Sequence, residues 1–366
     1  MSATDLLAVG ERASGTRSFL LVSKVLGKHI PVPAATCRLA GTALALRLAG
    51  DPRAQAARAA LRDVEAAARL LEDVAASPPA GFRDATVIGF AETATGLGHQ
   101  VAEALDAAWL QNTSRHPDCA GQVAFDESHS HARDQWLRHL PEDLPDGPLV
   151  IVDDELSTGA TAAKLIRLLP PRSHVVVACL VDARREPGPL AELGVEVVAL
   201  ERLGDIQPPV SGGQLPVPAD VGADPVVRDV VADWPCPRER HGLDREGRRA
   251  FRALAVSVAQ ELEPGALVLG CGEHLALPQL AALASGPGTL VSSTTRSPAL
   301  VCEREGYPLA HGLTFPHPEA PELPGYAYNV GRRPQLVVHF SEPAHREAAD
   351  GLLRALGGPV TAVTLR

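Results

Sequence analysis

The chain has 366 residues, a length that predicts two domains of ordinary size. Hydrophobic residues make up 45% and charged residues 21%, which is typical of a globular protein and excludes disorder as the main state. Acidic residues outnumber basic residues by 44 to 34, giving a formal net charge of −10. This balance excludes a general nucleic-acid coat, because such a coat needs an excess of basic side chains.

The cysteines and the N-terminus indicate a cytoplasmic protein. The six cysteines are spread along the chain without a CxxC pair, as expected for reduced thiols. Residues 1–5 do not form a basic region followed by an apolar stretch, so a secretory signal is not expected. No apolar run approaches the ~18 residues of a membrane span, and we expect no membrane partner.

Strands and helices alternate in the first part of the chain. The hydrophobic pattern predicts strands at 18–23, 86–89, 122–125, 149–152, 175–181 and 195–200, and helices at 35–49, 53–75, 99–109 and 160–169. This alternation predicts an α/β domain around a mainly parallel sheet, flanked by helices. We place this domain at residues 1–207.

The pattern restarts after a segment rich in proline and glycine. We assign 208–240 to a linker or extended arm and 241–366 to a second, smaller α/β domain of Rossmann-like type. Its predicted helices are 245–262, 277–283 and 343–356, and its predicted strands are 266–270, 289–292, 336–340 and 360–365.

The most informative segment is 149–161, where a buried strand leads through two acids into a turn of small residues. Asp153 and Asp154 could accept hydrogen bonds from vicinal sugar hydroxyls, or hold Mg²⁺ directly or through water. The small residues of the turn and the first amides of the next helix could hold a phosphate; these residues are Ser157, Thr158, Gly159, Ala160 and Thr161. The combination suits a sugar phosphate bound at the carboxyl end of a parallel strand.

This segment resembles the thirteen-residue signature with which type I phosphoribosyltransferases bind phosphoribosyl pyrophosphate (PRPP). The resemblance implies the fold of that class, Mg²⁺ as cofactor, and 5-phosphate binding by 157–161. An unrelated capped strand-loop-helix is the alternative. A P-loop does not fit, because the Gly-Lys-Ser/Thr element is missing.

Enzymes of this type carry a second loop, after an earlier strand, for the pyrophosphate. The stretch 89–98 matches its position, and we expect an anion to contact Thr93, Ala94, Thr95 and Gly96. A plain strand-to-helix connection is the alternative.

The polar stretch 127–133 occupies the place of the mobile hood that closes over the site in this class. His129 or His131 could donate to the leaving pyrophosphate or take the proton of the nucleophile, and Glu127 is a further candidate. Orotate phosphoribosyltransferases have a lysine in the hood. Residues 127–133 contain none, which argues against orotate as the acceptor. A solvated loop is the alternative.

The whole chain is similar to a bacterial family encoded with tellurite-resistance and stress-response proteins. Its members join an orotate-phosphoribosyltransferase-like domain to a TRSP domain. The resemblance rests on the stretches 27–31, 127–131 and 153–154, and on Thr-Arg-Ser-Pro at 295–298. Lys28 and His29 are candidates for phosphate or base contacts. In the TRSP domain, Arg296 suits a carboxylate or phosphate, although docking or dimerisation would also explain that domain.

The leading hypothesis is a Mg²⁺-dependent phosphoribosyltransferase that acts on PRPP and a nucleobase-like small molecule. It involves no nucleic acid and allows a homodimer. A sensor of PRPP or of a nucleotide, acting through protein partners, is the second hypothesis. Hydrolysis or a phosphorylase-like exchange on a nucleotide is the third, because the same turn would bind a nucleoside monophosphate.

Overall fold

A computed structural model describes most of the chain. The described residues are 6–13, 19–115, 123–126, 134–204, 212–216, 226–234, 239–317, 320–331, 333–340 and 343–366. Within them, no helix is both long and apolar enough to cross a membrane.

The chain folds into two compact units, and each unit is built from stretches that are not continuous in sequence. Unit 1 comprises Met1–Cys37, Ile206–Pro235 and Arg252–Arg366, and unit 2 comprises Arg38–Asp205 and Cys236–Phe251. These limits differ from the continuous domains 1–207 and 241–366 predicted above. Unit 1 takes in two segments outside the predicted second domain, at 1–37 and 206–235, and is nearly as long as unit 2.

Unit 2 contains one parallel sheet and its helices. Its strands are β4 (Thr86–Gly89), β5 (Trp109–Asn112), β6 (Val123–Asp126), β7 (Asp134–Leu137), β8 (Leu149–Leu156), β9 (Val175–Asp182) and β10 (Glu196–Arg202). Its helices are α1 (Ala34–Leu48, whose first residues belong to unit 1), α2 (Ala54–Ala60), α3 (Val64–Ala76), α4 (Ala94–Ala104), α5 (Ala160–Leu168) and α6 (Gly188–Glu192). The sheet order is β10-β9-β8-β4-β5, with every neighbouring pair parallel.

The four residues Leu149–Val152 are buried, as expected for a strand covered on both faces. The predicted α/β class with a parallel sheet is therefore confirmed for this unit. β6 and β7 form a separate antiparallel pair.

Two predicted helices of unit 2 are wrong in their limits. The stretch 53–75 divides into α2 and α3, because the Asp63 carboxylate accepts a hydrogen bond from the Ala66 amide and starts a new helix there. The helix predicted at 99–109 instead begins at Ala94 and ends at Ala104, while Trp109 starts β5 and pairs with Thr86.

Unit 1 contains a six-stranded sheet and two antiparallel strand pairs. Its strands are β1 (Leu7–Glu11), β2 (Phe19–Ser23), β3 (Val32–Pro33), β11 (Val226–Ala232), β12 (Leu267–Gly270), β13 (Leu290–Ser293), β14 (Gly312–His317), β15 (Ala320–Tyr328), β16 (Gln335–Phe340) and β17 (Pro359–Leu365). Its helices are α7 (Arg245–Ala259, whose first residues belong to unit 2), α8 (Ala276–Ser285) and α9 (Pro343–Leu356). The sheet order is β11-β17-β16-β12-β13-β3, and only β3 is antiparallel to its neighbour.

The unit 1 sheet confirms a second α/β unit in the C-terminal part. Val32 and Pro33 pair with Val291 and Leu290, so an N-terminal segment completes the edge of this sheet. The main core is apolar, with Leu267, Leu269 and Leu352 almost fully buried. The strands β1, β3, β5, β7, β11, β14 and β15 were not predicted, because they are short, exposed on one side or interrupted by proline and glycine.

Candidate functional site

The acidic residues after the buried part of β8 lie where a neighbouring strand has ended. β8 pairs with β4 over Leu149–Val152 only, but it pairs with β9 as far as Leu156. Asp153, Asp154 and Glu155 therefore extend beyond β4, and all three are partly exposed. The sequence predicted that the strand ends at 152 and that the acids follow it. The acids instead lie within β8, because the pairing with β9 continues to Leu156.

The turn after β8 depends on a glycine in the left-handed backbone region. Gly159 has a φ of 79°, and a Cβ there would lie 2.6 Å from the Leu190 Cδ1 atom, so the position requires glycine. The Thr158 side chain is exposed, and its hydroxyl accepts a hydrogen bond from the Ala160 amide at 3.2 Å. Ser157, Ala160 and Thr161 are partly exposed at the start of α5, where helix amides lack partners within the helix.

The proposed pyrophosphate segment is shorter than predicted. α4 begins at Ala94, so Gly96 and Gly98 lie in a helix and not in the loop. Gly98 serves packing, because a Cβ there would lie 2.9 Å from the Gly89 Cα. The Thr95 hydroxyl donates to the Glu92 carbonyl at 2.8 Å. Thr93 remains at the end of the connection and is buried.

Thr113, which follows β5, and Gln135 of β7 hold that connection in place. The Thr113 hydroxyl accepts a hydrogen bond from the Ala91 amide at 2.9 Å and donates to Gln135 Oε1 at 2.8 Å. Both Thr113 and Gln135 are buried. The hydrogen bonds therefore join the segment after β4 to the strand that follows residues 127–133.

The hood residues Glu127, His129 and His131 lie outside the described part of the chain. The strands on either side of 127–133 are described. Lys164 on α5 donates to the Asp126 carboxylate at 2.8 Å and to its carbonyl at 3.2 Å. On the other side, Gln135 bonds to Thr113. The described residues on either side of 127–133 are thus hydrogen-bonded to α5 and to the residue that follows β5.

The carboxyl end of β9 adds an ion pair beside the turn. Arg184 donates to both oxygens of Asp182 at 2.9 Å. Burial works to raise the pKa of the Asp182 carboxyl, but hydrogen bonds and charge from Arg184 outweigh it and leave that pKa below its ordinary value. Burial, followed by the charge of Asp153, raises the pKa of the neighbouring Cys179 thiol well above its usual value. Cys179 is therefore a neutral core residue.

The donors at the β8 edge fit Mg²⁺. In the described residues, no group of three or more His, Cys, Asp or Glu side chains is placed to hold a metal ion. Mg²⁺ in enzymes that use phosphate substrates is usually held by one or two carboxylates, by water and by the phosphates themselves. Asp153 and Asp154, both partly exposed, supply carboxylates of this kind.

The remaining candidates belong to unit 1. Lys28 is partly exposed and His29 is fully buried, with its ring 5.5 Å from that of Tyr328. Burial lowers the pKa of His29 well below its usual value, and the charge of Lys28 lowers it further. Arg296 follows β13, and its Nε atom lies 3.4 Å from His317 Nε2.

Two family models match the chain. Residues 6–199 match the family described as "Phosphoribosyl transferase", and residues 238–356 match "TRSP domain C terminus to PRTase_2". The chain belongs to the phosphoribosyl transferase family. Both matches agree with the family expected from the sequence, and the first includes residues 6–37, which pack in unit 1.

A curated relative matches only part of the chain. A uracil phosphoribosyltransferase of Corynebacterium glutamicum strain R is 36% identical over 77 residues, which are 20% of this chain and 36% of that protein. The chain thus spans about a third of the length of that curated relative.

Solved structures are also similar. An adenine phosphoribosyltransferase from Rhodothermus marinus covers 55% of this chain and 96% of its own, with 18% identity and a TM-score of 0.33. The enzyme from Giardia lamblia in complex with 9-deazaadenine covers 56% and 99%, with 14% identity and a TM-score of 0.31.

Three residues near the site were not singled out from the sequence. Lys164 is one of only three lysines, and this scarcity was a usable signal. Asp182 ends the buried parallel strand β9 and Arg184 lies just after it, so the rule that identified Asp153 could also have found them.

Proposed function

We propose that unit 2 transfers the 5-phosphoribosyl group of PRPP to a nucleobase-like acceptor and releases pyrophosphate, with Mg²⁺ as cofactor. The observation that carries the proposal is that β8 runs past β4. This arrangement presents Asp153, Asp154 and a glycine-dependent turn along one edge of the sheet. Membership of the phosphoribosyl transferase family supports it.

Each part of that edge has a role in the proposal. Asp153 and Asp154 accept hydrogen bonds from the two ribose hydroxyls, and their charge stabilises the cationic ribosyl group of the transition state. The amides and hydroxyls of 157–161 bind the 5-phosphate. The Asp153 Oδ1 atom accepts a hydrogen bond from the Asp154 amide at 2.9 Å, and this bond fixes the orientation of the Asp153 carboxylate.

Pyrophosphate would lie beside the connection between β4 and α4. Thr93, Ala94 and the first amides of α4 are the donors we propose, with Gly96 contributing only backbone. His129 or His131 would transfer a proton to pyrophosphate or from the acceptor, and Glu127 would assist. The contacts of Lys164 and Gln135 support this placement, because they attach the two flanks of 127–133 to α5 and to the residue that follows β5.

Mg²⁺, when bound, would neutralise the charge of the pyrophosphate group. The link to tellurite resistance and stress response rests on the family resemblance of the sequence and stays a prediction. The cytoplasmic location, the homodimer and the choice of acceptor stay predictions.

Calorimetric titration of the full chain with PRPP and Mg²⁺ tests the proposal. We expect binding by the wild type, and a loss of roughly tenfold or more in Asp154→Asn because a charged hydrogen-bond acceptor is removed. Asp146→Asn is the matched control, since Asp146 is an exposed acid of the same unit. Absence of heat in the wild type, or unchanged binding in Asp154→Asn, would contradict the proposed roles.

A pyrophosphate-release assay with a panel of bases separates transfer from sensing. Release with at least one base supports the transferase. Tight binding of PRPP without release for any base would instead support the sensor hypothesis.

A further inference from the structure

The strand order of unit 1 creates a crevice of the kind that binds ligands in α/β proteins. Four parallel strands occur in the order β13-β12-β16-β17, so the chain moves to one side after β12 and to the other after β16. α8 packs against β12 and β13, whereas α9 packs against β14, β15 and β16. In open α/β sheets, ligands bind outside the carboxyl ends of the strands at such a reversal.

Polar side chains are buried at this carboxyl edge, in contrast to the apolar core beneath it. Each of these side chains is less than a tenth exposed. Each lies at the end of β13 or β14 or in the residues just after β12 or β13: Glu273, His274, Ser293, Thr294, Thr295 and His317. Buried polar groups need hydrogen-bond partners, and here the Thr294 and Thr295 hydroxyls accept hydrogen bonds from the Gly272 and Ser297 amides. A binding role explains why the polar groups gather at one edge.

Hydrogen bonds between the two turns fix the backbone of this edge. The Gly272 amide donates to Thr294 Oγ1 at 3.1 Å, and the Thr294 amide donates to the Gly270 carbonyl at 2.9 Å. Gly272 has a φ of 58°, which glycine adopts without strain. The turns at 271–275 and 294–297 therefore form a preorganised frame at the start of α8.

The frame carries one guanidinium and one carboxylate, Arg296 and Glu273, which together suit an anion that also has a polar group. Arg296 is partly buried, and its Nε–H group donates towards His317 Nε2 at 3.4 Å, which directs the guanidinium along the edge. Guanidinium groups and helix N-termini both favour carboxylates and phosphates. The buried carboxylate of Glu273 suits a hydroxyl or amine elsewhere on the same molecule.

We propose that this edge of unit 1 binds a second small metabolite that carries a carboxylate or a phosphate group, with Arg296 as its anchor. The proposal rests on unit 1 alone and does not depend on phosphoribosyl transfer in unit 2.

Hydrogen–deuterium exchange of the full chain tests the proposal, with inorganic phosphate and citrate as separate probes. We expect slower exchange in peptides covering 270–276 and 293–298 with at least one probe. Protection by phosphate alone or by citrate alone would support the site and identify the group it prefers. A separate experiment with PRPP reports on the peptide at 157–161, so failure of the proposed transferase site would be seen independently.

Variants distinguish a specific site from general salt effects. Arg296→Gln should weaken the protection, with a loss of affinity of roughly tenfold to hundredfold. Arg354→Gln, an exposed arginine on α9, should keep it. If Arg296→Gln lowers the melting temperature, Arg296→Lys retains the charge and should bind with intermediate affinity. Absence of protection with both probes, or equal protection in the Arg296 and Arg354 variants, would overturn the proposal.

Discussion

The substitution Gly159→Ala tests the link between backbone geometry and phosphate binding. Gly159 has a φ of 79°, a conformation that costs a residue with a Cβ about 1–2 kcal/mol. The new methyl group would also lie 2.6 Å from Leu190 Cδ1 and 2.9 Å from Leu190 Cγ. Overpacking of this kind adds about 1–3 kcal/mol unless the backbone moves. In Gly159→Ala, the turn after β8 must therefore shift its backbone, or the folded chain must lose stability.

A matched control separates the two effects. Gly194 has a φ of 66°, and a Cβ there would meet nothing within 4 Å, so Gly194→Ala introduces the backbone cost alone. We expect chemical denaturation to show a loss of about 2–5 kcal/mol in Gly159→Ala and about 1–2 kcal/mol in Gly194→Ala. In calorimetric titration, the Gly159 variant should bind PRPP roughly tenfold more weakly or worse, because the 5-phosphate contacts shift.

Equal stability losses in the two variants would show that the contact with Leu190 is relieved without cost. Wild-type affinity for PRPP in Gly159→Ala would refute the assignment of 157–161 to the phosphate.

Three further outcomes follow from described contacts. Arg248→Met should lower the free energy of unfolding in denaturant by about 3–5 kcal/mol, because the almost fully buried Arg248 pairs with Glu103. Arg249 is exposed, so the control Arg249→Met should change that free energy by less than about 0.5 kcal/mol. Equal effects of the two substitutions would contradict this account. The pKa of Asp182 is lowered on folding, so its stabilising contribution is present above its ordinary value of 3.8 and is lost as pH falls through the lower folded value. Unfolding curves of Asp182→Asn should therefore show a weaker loss of stability in that acidic range than the wild type, and identical pH profiles would count against the ion pair. Lys164→Met should change stability by less than about 1 kcal/mol, since its pair with Asp126 is exposed. Its kcat/KM for transfer should fall by roughly tenfold as the strand before residue 127 loses its anchor, and an unchanged value would show that this anchor does not matter.

The local pattern of the sequence was enough to find the β8 segment. Four buried apolar residues, two acids and a turn of small residues predict a strand, a polar edge and a helix start within one short stretch. The limits of β4 and α9 also follow from the sequence, because hydrophobic periodicity and turn residues agree there. Such elements are encoded by residues close together in the chain.

Tertiary structure decided what distant segments contribute. Nothing in the stretch 32–33 indicates that it pairs with β13 across more than 250 residues, and nothing local shows that 236–251 packs in unit 2. The length of β8 is also non-local, because β9 extends its pairing to Leu156 while β4 stops at Gly89. The sequence by itself determined the chemistry of the β8 edge, since side-chain type and near-neighbour spacing set it. Which edges meet, and which segments complete each sheet, depends on backbone hydrogen bonds and packing between distant segments, and only the folded chain fixes them.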